Sequence, residues 1–193
     1  MYIHVKIFAV IIPVFILSAC VLRGADPEKN IVYYGPGKFI YVHEHFNHIG
    51  TAGQPFISED AYGGILHGRH RIRQENYVKA NEENDVTEWL FVKKLRLKTG
   101  WVFTGSRDQQ EEYGTATVQI SGEDRDLYES AIKHGYNFSG TYRFVVFNKE
   151  YEKSQAYFMT YGIDASLVPD NLDENKKNQF VKNKAMDSFT IKP

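Results

Sequence analysis

Histidines cluster in one stretch of this 193-residue sequence, and imidazole is well suited to bind a metal ion or to move a proton near neutral pH. His43 and His45 are two residues apart, so on a strand they point to the same side and could share a metal ion. The spacing is not the His-Glu-x-x-His pattern of zinc peptidases, because Asn47 stands where the second histidine would be. We therefore expect packed or exposed histidines and no bound metal or cofactor, with metal binding as an alternative function. The histidines of this stretch are His43, His45, His48, His67 and His70.

Arg69, Arg71 and Arg73 alternate along the chain, so a strand would place all three guanidinium groups on one face. Such a face could bind phosphate, lipid headgroups or an acidic polymer. The whole chain has 23 basic and 24 acidic residues and a net charge of −1, which argues against a general role in nucleic-acid binding. We therefore interpret the three arginines as a solvated strand face, and we predict no nucleic-acid partner.

Enzymatic chemistry has little support in the sequence. Cys20 is the only cysteine, and no Gly-x-Ser-x-Gly motif is present. The neighbouring acids Glu123 and Asp124 follow Ser121, which is the pattern of a helix amino terminus rather than of a catalytic pair. We expect a protein that is not an enzyme.

The elements that would position these residues are mainly strands. Aromatic residues make up 15% of the chain, and short apolar or alternating segments are separated by turn residues every 8–15 positions, which is typical of a small barrel or sandwich. A helix is expected from Ser121 to the glycine at position 135, and a marginal amphipathic helix or a frayed tail over 173–185. We predict a mainly β fold with an α+β extension. The predicted strands are 38–43, 69–78, 88–97 with a hairpin partner at 101–103, 114–120, and a second hairpin of 141–147 with 155–161.

The amino terminus has the composition of an export signal. Lys6 precedes an uninterrupted apolar run over 7–17, which is too short to span a bilayer but has the usual length of a signal-peptide core. The run ends in Leu17-Ser18-Ala19-Cys20, which resembles the lipobox of bacterial lipoproteins. The resemblance implies that 1–19 is removed and that Cys20 carries the lipid. We expect 20–37 to be a lipidated tether at a bacterial membrane, and Val21 after the cysteine favours the outer membrane.

Part of the mature chain resembles the bacterial SH3-like (SH3b) family. The resemblance depends on Trp89-x-x-Val92 followed by Lys98-Thr99-Gly100-Trp101-Val102, and on Ile65-Leu66-His67-Gly68 before a strand. The Leu-Asn-x-Arg-x-Gly-Pro signature of the family is absent. The resemblance implies a small SH3-like β-barrel over 38–105, followed by a strand-helix-hairpin extension over 113–193 of unknown role.

In SH3-like domains the first of these tryptophans lies near the ligand groove. The resemblance therefore implies that Trp89, with Tyr62 and Tyr77, contacts a ligand, while packing in the core is the alternative for Trp89. The predicted function is a membrane-anchored, non-enzymatic binding module for cell-wall peptide (peptidoglycan) or an envelope protein. The alternatives are a structural or surface-exposed lipoprotein without a ligand groove, and a metal-binding protein that uses the histidine cluster.

Overall fold

Antiparallel strands dominate the backbone, as the alternating and β-branched segments predict. The structure is a computed structural model that describes residues 25–26, 28, 30–35, 37–58, 68–96, 111–118, 125–152 and 155–192. The prediction of a mainly β chain with α+β character is confirmed for these residues. Their strands are β1 (Ala25–Asp26), β2 (Ile31–Gly35), β3 (Lys38–Val42), β4 (Asn47–Ser58), β5 (Gly68–Ala80), β6 (Val86–Arg96), β7 (Glu111–Ala116), β8 (Tyr142–Glu152), β9 (Gln155–Asp164) and β10 (Phe189–Lys192), and their helices are α1 (Arg125–Lys133) and α2 (Glu174–Met186).

The strands form two antiparallel sheets, and both sheets combine the two halves of the chain. The large sheet has the order β4-β5-β6-β9-β8-β7, and the small sheet has the order β1-β2-β3-β10. The central pairing of the large sheet joins β6 to β9, from Glu88 opposite Ile163 to Arg96 opposite Gln155. The segments 38–105 and 113–193, which the sequence suggests as separate units, thus share hydrogen-bonded sheets, and a closed barrel is not shown among the described strands.

One sequence expectation is corrected by these pairings. A strand has two hydrogen-bonding edges, and those of β6 are occupied by β5 and β9 over Glu88–Arg96, so the predicted hairpin of 88–97 with 101–103 has no edge of β6 to use. Trp101 itself lies outside the described residues. β1 and β2 lie within 20–37, the range of the predicted tether, which stays a prediction. The second predicted hairpin is confirmed as β8 and β9.

Each face of the large sheet has its own apolar core. The first face packs against the small sheet and α2, and the second face packs against α1. The division follows from strand alternation, since successive side chains of β6 point to opposite faces. Leu90 and Val92 belong to the first face, whereas Trp89 and Phe91 belong to the second.

Both predicted helices are present. α1 ends before Gly135, which has a φ of 82° and therefore takes the left-handed conformation that favours glycine after a helix. The expected cap at Ser121 lies outside the described residues. α2 begins after Asp173, whose side chain accepts a hydrogen bond from the Lys176 backbone N–H at 2.9 Å. Among the described residues, no helix has both the length and the apolar character needed to span a membrane.

Candidate functional site

Two of the four predicted site residues, Trp89 and Tyr77, lie within the described part of the chain. Cys20 and Tyr62 lie outside the described residues. Trp89 is 2% exposed and Tyr77 is fully buried, and the two rings lie on opposite faces of the large sheet. Two rings on opposite faces cannot stack on one ligand, so Trp89 and Tyr77 do not form a shared aromatic groove.

Trp89 lies in the second-face core. Its ring stacks on Phe91 at 5.7 Å with an interplanar angle of 14°, and Tyr142 meets it edge-on at 6.5 Å. The indole lies across Gly162, the residue opposite it on β9, and a Cβ built on that glycine would lie 2.1 Å from the ring. The Trp89 ring thus fills the space that a side chain at position 162 would need, and this position serves packing.

Tyr77 lies in the first-face core, next to His48 on the neighbouring strand. The two rings meet edge-on at 5.0 Å. Burial raises the pKa of the Tyr77 hydroxyl, and the nearby Glu75 carboxylate raises it further. The hydroxyl has no hydrogen-bond partner among the described residues.

The strongest polar arrangement on this face surrounds Glu75, and we call Glu75 with His48, Thr51 and Arg73 the Glu75 cluster. Glu75 is 1% exposed, and its Oε2 accepts from Thr51 Oγ1 at 2.6 Å and lies 3.0 Å from His48 Nε2. Arg73 Nε donates to Oε1 at 2.6 Å. Burial alone would raise the pKa of Glu75, but hydrogen bonds from His48, Thr51 and Arg73 together lower it below its usual value.

A second buried carboxylate, Glu88, lies on the same face. Its Oε1 accepts from Lys79 Nζ at 2.5 Å, and its Oε2 accepts from the Tyr161 hydroxyl at 2.7 Å. Burial, and then the Glu88 charge, raises the pKa of Tyr161. Both carboxylates therefore have each oxygen bonded to a side chain on the same or a neighbouring strand.

This bonding indicates a structural use. A general base needs a lone pair within reach of a substrate proton, whereas the oxygens of Glu75 and Glu88 are enclosed and already accept hydrogen bonds. The sequence does indicate that Glu75 shares one strand face with other polar residues, because these residues alternate along β5. They are Arg73, Glu75, Tyr77 and Lys79. The same alternation describes a solvated strand face, so only the covering small sheet and α2 show that the positions are internal.

The histidines do not converge in the described part of the chain. The rings of His43 and His45 lie 5.8 Å apart, but His48 bonds to Glu75 instead of joining them. Partial burial, followed by the charge of Lys79, lowers the pKa of His45. Among the described residues, no three His, Cys, Asp or Glu side chains are arranged to hold a metal ion. His67 and the side chain of His70 lie outside this description.

Comparisons of the chain with protein-family models, curated proteins and solved structures found no match. The functional argument therefore depends on the residues themselves.

Proposed function

We propose that the protein is a bacterial envelope lipoprotein, anchored through a lipid on Cys20, that works as a non-enzymatic binding module for cell-wall peptide or an envelope protein. One observation carries the anchor. The apolar run over 7–17 ends in Leu17-Ser18-Ala19-Cys20, which resembles the lipobox of bacterial lipoproteins, and Cys20 is the only cysteine of the chain. A chain that starts at Val21 keeps every described element of the fold, the first of which is β1 at Ala25–Asp26.

The non-enzymatic part of the proposal is supported by the two buried carboxylates. Both carboxylate oxygens of Glu75 and of Glu88 accept hydrogen bonds from side chains on the same or a neighbouring strand, which stabilises the sheet. A ligand would then be held at the surface of a rigid framework, at low entropic cost. The SH3-like barrel over 38–105 stays a prediction, and the choice of cell-wall peptide as ligand rests on that resemblance. In the structure, β6 pairs at its two edges with β5 and β9.

The second candidate is a structural or surface-exposed lipoprotein without a ligand groove. The burial of Trp89 favours it, because the first residue predicted to contact a ligand is enclosed by Phe91, Tyr142 and β9.

The anchor is tested by feeding cells a labelled fatty acid and isolating the protein. We expect the label on the natural chain, which should fractionate with membranes, and no label on the Cys20→Ala variant. Label on that variant would place the lipid elsewhere and contradict the proposal. A Glu28→Gln variant, which leaves Leu17-Ser18-Ala19-Cys20 in place, serves as the expression control.

Wall binding is tested by sedimenting the chain from Val21 with purified peptidoglycan sacculi. Binding by the natural chain that is reduced in Tyr62→Ala, with unchanged thermal unfolding, would support a wall-binding module. Absence of sedimentation would contradict the cell-wall part of the proposal. Crosslinking in whole cells then separates an envelope-protein partner from the purely structural candidate.

A further inference from the structure

Two adjoining strands, β5 and β6, have an excess of positive charge at one end of the large sheet, where β8 carries Lys149, Glu150 and Glu152. The adjoining strand segments 68–74 of β5 and 93–96 of β6 contain six basic residues and no acidic one. The facing ends of their outer neighbours, 53–58 of β4 and 155–158 of β9, contain no charged residue. The whole chain has a net charge of −1, so positive charge is concentrated here. We call these two segments the basic end; its basic residues are Arg69, Arg71, Arg73, Lys93, Lys94 and Arg96.

The strand register places like charges directly opposite one another. Arg71 faces Arg96, and Arg73 faces Lys94, in two successive same-face pairs. Directly opposed residues have Cβ atoms about 5 Å apart, and like charges at that separation repel. Glu75 offsets part of the Arg73 charge, since Arg73 Nε donates to its Oε1 at 2.6 Å. A negatively charged ligand would be attracted to these opposed pairs.

Two of these charged side chains, those of Arg73 and Arg96, are accessible to a large partner. The Arg73 side chain is 45% exposed, and Arg96 is exposed. They belong to the first face, at the margin of the small sheet, where Lys94 Nζ donates to the backbone oxygen of Tyr34 at 3.3 Å. The small sheet thus reaches the basic end through β2.

The entry of the chain into the fold lies on the same side. β1 runs antiparallel to β2, with Ala25 opposite Val32 and Asp26 opposite Ile31. The amino end of β1 therefore points along β2 toward Tyr34 and the basic end. Cys20 precedes Ala25 by five residues, which extend at most about 18 Å. A lipid on Cys20 would hold this end of the molecule close to the membrane surface.

We propose that the basic end is a second membrane contact, which binds the phosphate groups of anionic lipids beside the lipidated amino terminus. The proposal rests on the anchor at Cys20 that is proposed above. Guanidinium and ammonium groups bind phosphate oxygens by charge-assisted hydrogen bonds, and an acyl anchor combined with a basic patch is more durable than either alone. The contact would orient the large sheet with its 68–74 end toward the bilayer and the opposite end away from it.

The test uses the unlipidated chain from Val21, so that its result does not depend on acylation. The protein is mixed with vesicles of phosphatidylglycerol and phosphatidylethanolamine, or of phosphatidylcholine alone, and the bound fraction is measured by sedimentation. We expect binding only to the anionic vesicles, with loss on raising the salt to about 0.5 M. Arg71→Gln with Arg96→Gln should weaken this binding by about fivefold per charge removed, or about 25-fold in total.

A matched double variant controls for net charge. Arg125→Gln with Lys133→Gln removes the same charge from α1, which covers the second face, and should bind like the natural chain. The Arg71→Gln/Arg96→Gln protein should unfold at the same temperature or higher, because a repulsive pair is lost.

Several results would overturn the proposal. They are absence of binding to anionic vesicles, equal weakening in both double variants, or tighter binding of soluble polyphosphate than of vesicle phosphate, which would indicate an acidic polymer instead. The outcome is separable from that of the anchor. Vesicle binding without fatty-acid labelling of Cys20 leaves the basic end as the membrane contact and removes the anchor, and the reverse result removes only the basic end.

Discussion

On the first face of the large sheet, Glu75 and Glu88 are buried beside charged and hydroxyl partners, whereas on the second face aromatic rings lie over glycines. Trp89 covers Gly162, and Phe144 covers Gly114, with a Cβ at position 114 placed 2.5 Å from the Phe144 ring. One face thus joins its strands through hydrogen bonds to buried carboxylates, and the other through close ring-to-backbone packing.

The difference shows that the residues which look most chemical in this sequence hold the sheet together. A buried carboxylate is tolerated when its oxygens are all bonded, and a large ring is tolerated when the residue opposite lacks a side chain. The basic end, which we propose as a membrane contact, lies at the ends of β5 and β6 and not among these buried groups.

The largest expected effect lies on the second face. Trp89→Ala should lower the free energy of unfolding by about 3–5 kcal/mol, because it removes a ring that is 2% exposed and leaves a cavity between Phe91 and Tyr142. Trp89→Phe should cost less, since it keeps a ring over Gly162. Denaturant unfolding followed by circular dichroism measures both. A Trp89→Ala protein of unchanged stability that loses sacculus binding would reverse the assignment of Trp89 to the core.

Gly162→Ala should have the next largest effect. It should lower the free energy of unfolding by about 3 kcal/mol, because the new Cβ must displace the buried Trp89 ring. In a Trp89→Phe background the same substitution should cost less, so the double-mutant cycle should show strong coupling. Gly114→Ala should be milder than Gly162→Ala, since β7 is an edge strand among those described and can shift away from Phe144. Additive effects of Gly162→Ala and Trp89→Phe would contradict the contact.

The first face should respond less strongly. Glu75→Gln should cost about 2 kcal/mol, since the Arg73 and Thr51 hydrogen bonds lose their charged acceptor while the shape is kept. Glu129→Gln on α1 is the matched control, because its pair with Arg125 is exposed and should contribute little. Equal losses in the two variants would show that the Glu75 cluster has no special role on this face.

Much of the secondary structure could be predicted from the sequence. The β8–β9 hairpin, α1 and α2 follow from local patterns that tertiary contacts do not override. The pairing of β6 with β9 and of β3 with β10 could not be predicted, because partners distant in sequence leave no local signal. The hairpin predicted at 88–103 is wrong for this reason. The turn-like Lys98-Thr99-Gly100 indicates a nearby partner strand, but β5 and β9 occupy both edges of β6.

The site was harder to predict for a related reason. Trp89, Tyr77 and Glu75 are each plausible surface residues of an isolated hairpin, and their burial follows from the layers that cover β5 and β6. Strand alternation does assign Tyr77 and Glu75 to one face. Alternation does not reveal which face is covered by other layers. That coverage decides whether a charged residue is available to a ligand or is buried and hydrogen-bonded to neighbouring strands.

The smallest and most specific contrast between the faces is a pH dependence. The pKa of Glu75 in the folded protein lies below its usual value of 4.5, because the hydrogen bonds from His48, Thr51 and Arg73 outweigh its burial. Protonation therefore favours the unfolded chain, so the stabilisation is fully present above about pH 4.5 and is lost as the pH falls through the folded-state pKa. The difference in unfolding free energy between the natural chain and Glu75→Gln should be flat above about pH 4.5 and shrink below it. These unfolding free energies are measured at high salt, which limits the contribution of exposed ion pairs such as Arg143 with Glu174 to the pH dependence. Trp89→Phe carries no titrating change, so its difference from the natural chain should stay constant over the same range, and a parallel pH response of the two variants would contradict a role for the Glu75 charge.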